Sequence, residues 1–231
     1  MAPNHATFDF RELSFANETT PNKQGGKGVS VGYGAGKERV HFQLGDAKEA
    51  LRCPWGLDRP NDPTEKAYFK LELTEETQTF VQNLESAVLG AAEANSVAWF
   101  KKALSPVVLD SRFTSNIKPS TKEDKPDCVK IKVVETGKDA TVVQVRHRKG
   151  HKLTKAVAGT VDDIKAGDVI VPVARIQSGV WFMSDGKTFG ISLVAASLLV
   201  IKEGAVASSS DTLSIDLGDV EMTDASDDEG E

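Results

Sequence analysis

The chain has 231 residues, 39% hydrophobic and 27% charged, with a formal net charge of −6. This suits one substantial domain with tails, or two small ones. Two distant cysteines, Cys53 and Cys128, with no Cys-x-x-Cys pair, exclude a zinc ribbon or a disulfide scaffold and fit free thiols in a reducing compartment.

The start, "MAPNHATFDF", has no charged region followed by an apolar one, as a secretory signal would. Residues 1–38 hold a glycine-rich patch, "KQGGKGVSVGYGAGKER", expected as a loop or partly disordered arm. "RVHFQL" reads as a strand, and "CPWGLDRPNDP" as a structured loop. "KAYFKLEL" alternates, with Ala67, Phe69, Leu71 and Leu73 inward and Tyr68, Lys70 and Glu72 outward.

Thr74 is a helix N-cap candidate, with Glu75 and Glu76 in the first turn, where the helix dipole favours acids. Phe80, Val81, Leu84, Ala87, Val88 and Ala91 follow at helical spacing, and the spacing extends the helix to about residue 104, with Pro106 as its stop. "VVLDSRFTSNIKP" is expected to be extended. "CVKIKVVE" and "ATVVQVRHR" alternate as strands, then "DVIVPVARI", with Pro172 marking an edge or bulge position. "ISLVAASLLVI" is an apolar run about half the length of a membrane span. The expected location is soluble and intracellular.

"RIQSGVWFMSDGKTFGISL", Arg175 to Leu193, reads as a hairpin with a two-residue type I′ turn at Asp185-Gly186. That register pairs Phe182 with Phe189, Trp181 with Gly190 and Val180 with Ile191. Val180, Phe182, Phe189, Ile191 and Leu193 then share a core face, while Trp181 falls on the polar face near Thr188 and Ser192. Strands and helices do not alternate, which excludes an alternating α/β fold. The expected class is mainly β with one long helix (α+β). The arrangement is an antiparallel barrel of five or more strands, of the oligonucleotide/oligosaccharide-binding (OB) type. It spans residues 39–203, with the helix at about 75–104, between the arm at 1–38 and a tail at 204–231.

Enzyme signatures are missing. His147 and His151 stand four apart, a metal spacing only on a helix, and basic neighbours would repel a cation. "GYGAGKE" fails the phosphate-loop pattern because Val31 replaces its first glycine and Glu38 follows the lysine. No Gly-x-Ser-x-Gly motif occurs, so neither catalytic residue, metal nor cofactor is implied.

The basic residues are better placed. Alternation puts Lys130 and Lys132 on one strand's outer face and Gln144, Arg146 and Arg148 on the next. If those strands pair, the four cations cover one sheet face. Lys149 and Lys152 extend the strip, which also fits a nuclear-import patch. Such a strip can follow a phosphate backbone by displacing counterions, although outer sheet faces are ordinarily charged in any case. Trp181, with Arg175 and Lys187 nearby in sequence, fits base stacking beside a basic groove. It equally fits an indole covering the gap over Gly190.

Residues 204–231 carry nine acids and no Lys or Arg, leaving 28 basic against 25 acidic residues elsewhere, a net of +3. The acidic tail is expected to be disordered, a solubility segment or a polyanion competing for the groove. Asp216, Asp219, Glu221, Asp224, Asp227, Asp228, Glu229 and Glu231 are its candidate docking residues.

"KAYFKLELTEE" leading into "TQTFVQNLESAVLGAAEAN", then "IKP", "DCVKIKVVET" and "GDVIVPVARIQSGVWFMSDGKTFGISLVAASLLVIKEG", resembles a known family. It is similar in order to the OB-fold single-stranded DNA-binding proteins of short-tailed coliphages and their relatives in large eukaryotic DNA viruses. The resemblance spans roughly Ala67 to Glu203. It implies a non-enzymatic protein that coats single strands in replication and recombination, anneals them, and contacts polymerase or helicase through its tail. The family's hairpin tryptophan would correspond to Trp181. The phage tail ends in an aromatic residue where this chain ends in Glu231, and the N-terminal arm and "CPWGLDRP" look closer to the eukaryotic-virus group. A homodimer is a further expectation, as is a place in the nucleus or at a viral replication site if the source is a eukaryotic host or virus. Other readings are an RNA-binding module and an acidic-tailed chaperone for basic partners such as histones.

Overall fold

A computed structural model describes residues 2–21, 26–62, 65–150 and 152–203. The tail and His151 lie outside the described residues. The strands that position the site are β1 (Lys27–Val29), β2 (His41–Gln43), β3 (Leu51–Arg52), β4 (Tyr68–Glu72), β5 (Cys128–Lys132), β6 (Val142–Lys149), β7 (Val169–Phe182) and β8 (Phe189–Glu203). Three helices, α1 (Glu75–Ala94), α2 (Ser96–Phe100) and α3 (Pro106–Arg112), lie between β4 and β5.

The β7–β8 hairpin is the spine of one large sheet. Along the free edge of β7, β3, β2 and β1 pair antiparallel, opposite Val169–Ile170, Val173–Arg175 and Val180–Phe182. Along the free edge of β8, residues 113–114, then β5 at Lys132↔Val194, then β6 from Val142↔Ser197 to Arg148↔Glu203, pair in parallel. β4 pairs antiparallel with the far side of β5. The fold is mainly β, but the sheet is mixed, not the wholly antiparallel one expected. Alternation fixes which way side chains point and leaves strand direction open, so it could not have shown this.

Pro172 fits between two partners. Its carbonyl accepts from the Leu44 N–H at 3.0 Å, so its own nitrogen faces the gap where β2 has ended and β3 has not begun. No ladder bond is lost there.

Thr74 caps α1 as expected. Its Oγ1 accepts from the Thr77 N–H at 3.3 Å, and Thr77 Oγ1 accepts from the Thr74 N–H at 2.9 Å. Phe80, Val81, Leu84, Val88 and Ala92 are buried along one face, and Phe80 meets Phe42 and Phe8 with ring centroids 5.0 and 5.5 Å apart. The helix does not run to residue 104. Asn95 Nδ2 donates back to the Ala91 carbonyl at 2.9 Å and ends α1. Lys101, at φ 64°, ends α2. Pro106 opens α3 as its first residue, where a missing N–H costs nothing. Residues 107–112 are therefore helical, not extended, and Leu109 anchors that turn in the core at 1% exposure.

The N-terminal arm is built into the fold over its described residues. Phe8 and Val29 are buried, and residues 13–15 pair with 31–33. Its glycine content predicts a loop, but Phe8, Phe10 and Phe15 pack on the core cluster and hold it in place.

A buried carboxylate ties helix to sheet. Glu85, 8% exposed, accepts from the Asn116 N–H at 2.6 Å, the Ser115 hydroxyl at 2.8 Å and Asn116 Nδ2 at 3.3 Å. Among the described residues, no helix is long and apolar enough to cross a membrane, and no cluster of His, Cys, Asp or Glu could hold a metal ion.

Candidate nucleic-acid interface

The hairpin register is the one the sequence indicated: Phe182↔Phe189, Trp181↔Gly190 and Val180↔Ile191, with Val180, Phe182, Phe189, Ile191 and Leu193 buried. The turn differs. The Gly186 N–H donates to the Met183 carbonyl at 2.9 Å, so Ser184 and Asp185 are the central residues, and only Gly186, at φ 65°, is left-handed. This is not a type I′ turn, whose two central residues both need positive φ.

Trp181 stands between two glycines, Gly190 on β8 and Gly28 on β1. A Cβ at Gly190 would come within 3.0 Å of the indole Cζ2. The indole therefore does lie over the gap at Gly190. It also lines an open cleft of about 700 Å³ with Lys66, Lys130, Lys132 and Ser192, so the two sequence readings of Trp181 do not exclude each other. Its Nε1 is buried with no hydrogen-bond partner among the described residues.

β4 and β5 supply the cationic wall. Phe69, Leu71, Val129 and Ile131 are fully buried, which forces Tyr68, Lys70, Lys130 and Lys132 to the outer face. Lys132 stands opposite Tyr68, and Lys130 opposite Lys70. Lys130 Nζ lies 3.7 Å from the Tyr68 ring centroid, and Lys132 Nζ donates to Ser192 Oγ at 3.2 Å. Partial burial, together with neighbouring lysines, lowers the affinity of both amines for their protons. The Tyr68 hydroxyl is hydrogen-bonded to Asp58, which pushes its pKa up to about 12 and keeps it neutral.

A second hollow of about 450 Å³ continues the cleft past Gln177 and Ser178, which line both. It holds Arg39, Lys138 and Arg175 around Asp139. Arg175 is buried, its guanidinium 3.8 Å from the Asp139 carboxylate, and Arg39 reaches the same carboxylate at 3.0 Å. The bulge between the hollows breaks the β7–β8 register from Ile176 to Val180 and contains Ser178 at φ 57° and Gly179 at φ 84°. Only glycine fits at 179, because a Cβ there would meet the Val29 carbonyl oxygen at 1.9 Å.

Of the expected residues, Lys130, Lys132 and Trp181 come together, and Arg175 sits in the adjoining hollow. Lys187 is exposed in the turn and lines neither space. Arg146, Arg148, Lys149 and Lys152 do not join them. β5 and β6 never pair with each other; both run along β8, and Arg146 stands opposite Ile201, seven residues beyond Val194, the partner of Lys132. That is ~23 Å along an extended strand at ~3.3 Å per residue. Arg148 is paired with Glu203 at 2.9 Å. The single basic sheet face expected from the two strands is therefore two separate groups.

Lys66, Arg39 and Lys138 are cleft residues with no sequence signal, since each reaches the cleft from a loop or a turn. Tyr68 had one, its place beside Lys70 in the outward alternation.

No family model and no curated protein sequence matches the chain. Among solved structures, it is similar to the single-stranded DNA-binding protein of bacteriophage Enc34. A C-terminally truncated form is 17% identical, with a TM-score of 0.43 over 81% of this chain and 96% of that one. The complex with single-stranded DNA is 13% identical, with a TM-score of 0.43 and the same coverage. A third structure of that protein is 14% identical, with a TM-score of 0.40 over 82% and 89% of the two chains.

Proposed function

We propose that this protein binds single-stranded DNA without reading its sequence, by an OB-like fold and with no catalysis. The observation that carries the reading is one cleft in which a half-buried indole faces three lysines, Lys66, Lys130 and Lys132. A base offers a stackable face whatever its identity, and a phosphate offers a charge, so this combination suits a strand of any sequence. The nearby cations outnumber their counterions: the two hollows together hold six Lys or Arg against Glu65 and Asp139. Arg146, Arg148, Lys149 and Lys152 serve at most as a second, distant phosphate contact. The process served is replication or recombination. The nine acids of residues 204–231 compete with the strand for the cleft and, when displaced, dock a polymerase or helicase.

Titration of labelled oligonucleotides, DNA and RNA, single- and double-stranded, at two salt concentrations tests the reading. Salt-dependent binding of single strands in preference to duplex is expected. Failure to bind any oligonucleotide, together with capture of cationic proteins, would replace it with the chaperone reading. Deleting residues 204–231 should tighten binding at low salt, and unchanged affinity would reject the competing tail.

A further inference from the structure

The three tryptophans have three settings. Trp99 is fully buried, and its Nε1 donates to the Ala16 carbonyl at 3.2 Å. Trp181 lies in the cleft. Trp55 is 66% exposed. Its loop is nonetheless firmly held: the Cys53 N–H donates to the Asp168 carbonyl, the Gly167 N–H to the Cys53 carbonyl, both at 2.8 Å, and the Leu57 N–H to the Ile164 carbonyl at 3.3 Å. Gly56, at φ 74°, packs so closely that a Cβ would meet the Ala166 nitrogen at 2.8 Å. A large aromatic ring is thus displayed to solvent on a rigid mount.

Among the described residues its ring contact is with a cation and not with another aromatic ring. Lys70 Nζ lies 5.4 Å from the Trp55 ring centroid. Lys70 faces outward from β4 directly across from Lys130, which covers Tyr68, and Lys132 leads on through Ser192 toward Trp181. Cations and aromatic rings therefore alternate from the cleft to Trp55 on one sheet face. The acids along this path are largely engaged: Asp58 holds the Tyr68 hydroxyl, and Glu72 is bonded by Arg52 at 3.2 Å, while Glu65 stands at the cleft. A docking patch for a protein would surround the indole with apolar neighbours. A nucleotide presents a flat base and a phosphate side by side, which is what an exposed indole beside a lysine can receive.

We propose that Trp55 is a second nucleobase platform. A single strand seated at Trp181 continues over the outer faces of β5 and β4, its phosphates meeting Lys132, Lys130 and Lys70, and stacks a further base on Trp55. From Trp181 to Tyr68 the path crosses three strand spacings, ~14 Å at ~4.8 Å each, and shifts along β8 from Gly190 to Val194, ~13 Å at ~3.3 Å per residue, with Trp55 beyond it. The proposal rests on the cleft reading above.

The test uses the full chain and labelled oligo-dT of two lengths, one covering only the cleft and one long enough to pass β4. Trp55→Ala should leave the short oligonucleotide's affinity unchanged and weaken the long one by about 5- to 150-fold, with Trp55→Phe restoring much of the loss. Trp181→Ala should weaken both. In Trp181→Phe protein, quenching of the remaining tryptophan emission by the long oligonucleotide alone reports contact at Trp55, because Trp99 is sealed in the core. An unchanged long-oligonucleotide affinity in Trp55→Ala, with Trp181→Ala impaired, overturns the second platform and leaves the cleft reading standing. Equal loss at both lengths, or a lowered melting temperature in Trp55→Ala, also overturns it. If the unaltered protein binds neither length, the cleft reading falls and the platform falls with it.

Discussion

Removing the indole and removing the lysines should damage strand binding in distinguishable ways. In the two hollows, Asp139 engages Arg39 at 3.0 Å and Arg175 at 3.8 Å, which leaves Lys66, Lys130, Lys132 and Lys138 for phosphates. Each neutralised phosphate of a single strand contributes about 0.7 to the slope of log K against log salt, so four lysines give a slope of about −3. The double variant Lys130→Gln, Lys132→Gln should make that slope shallower by about 1.4. Trp181→Ala removes no charge. It should leave the slope alone and lower affinity about 5- to 150-fold at every salt, the equivalent of ~1–3 kcal/mol for one stacked base. Fluorescence anisotropy with labelled oligo-dT from about 50 to 200 mM salt measures both quantities. Wild-type affinity in Trp181→Ala would take the indole out of the site and leave it as a cover for Gly190. An unchanged slope in the lysine double variant would refute phosphate neutralisation on β5.

Glu85→Ala strands three donors, the Asn116 N–H and amide and the Ser115 hydroxyl, and should lower stability by ~2–4 kcal/mol in urea unfolding. A loss below ~0.5 kcal/mol, the size of an ordinary surface change, would contradict that role. Gly179→Ala drives a methyl into the Val29 carbonyl at a left-handed position and should cost ~3 kcal/mol or more, seen as a lower melting temperature. A melting curve like that of the unaltered protein would show that the bulge can rearrange. Burial pushes the Cys53 thiol up to about 11, and Asp58 pushes the Tyr68 hydroxyl up to about 12. Above pH ~9 to 10 the unfolded chain loses these protons before the folded one does, so stability falls as pH rises toward those values. Urea midpoints measured from neutral pH upward should decline in that window, and a flat profile would contradict both shifts.

The sequence carried the local facts well. Period-two alternation placed Lys130 and Lys132 outward and the hairpin's apolar residues inward, because side-chain direction in a strand depends only on the neighbouring residues. The Thr74 cap was legible for the same reason: its capping partner, Thr77, is three residues away. In the sequence Pro106 predicts a helix stop, because a proline that ends one helix and one that begins the next look alike without the chain around them. The failures that matter for the site are long-range. Whether Lys130 and Arg146 stand together depends on where along β8 each strand pairs, and that is set by closure of the whole sheet. Arg39, Lys66 and Lys138 reach the cleft from connections whose paths no periodicity describes.

By itself, then, the sequence determined which strand residues face the core and which face outward, the capped start of α1, and the pairing of Trp181 with Gly190 in the β7–β8 hairpin. Each follows from backbone geometry within a few residues. Only the tertiary structure decided the company Trp181 keeps. It set Gly28 against its other side, brought Lys66, Lys130 and Lys132 to the same cleft, moved the β6 cations away, and left Trp55 exposed beside Lys70. Strand neighbours are chosen by where apolar faces can be buried together across the whole chain, and no local pattern records that choice.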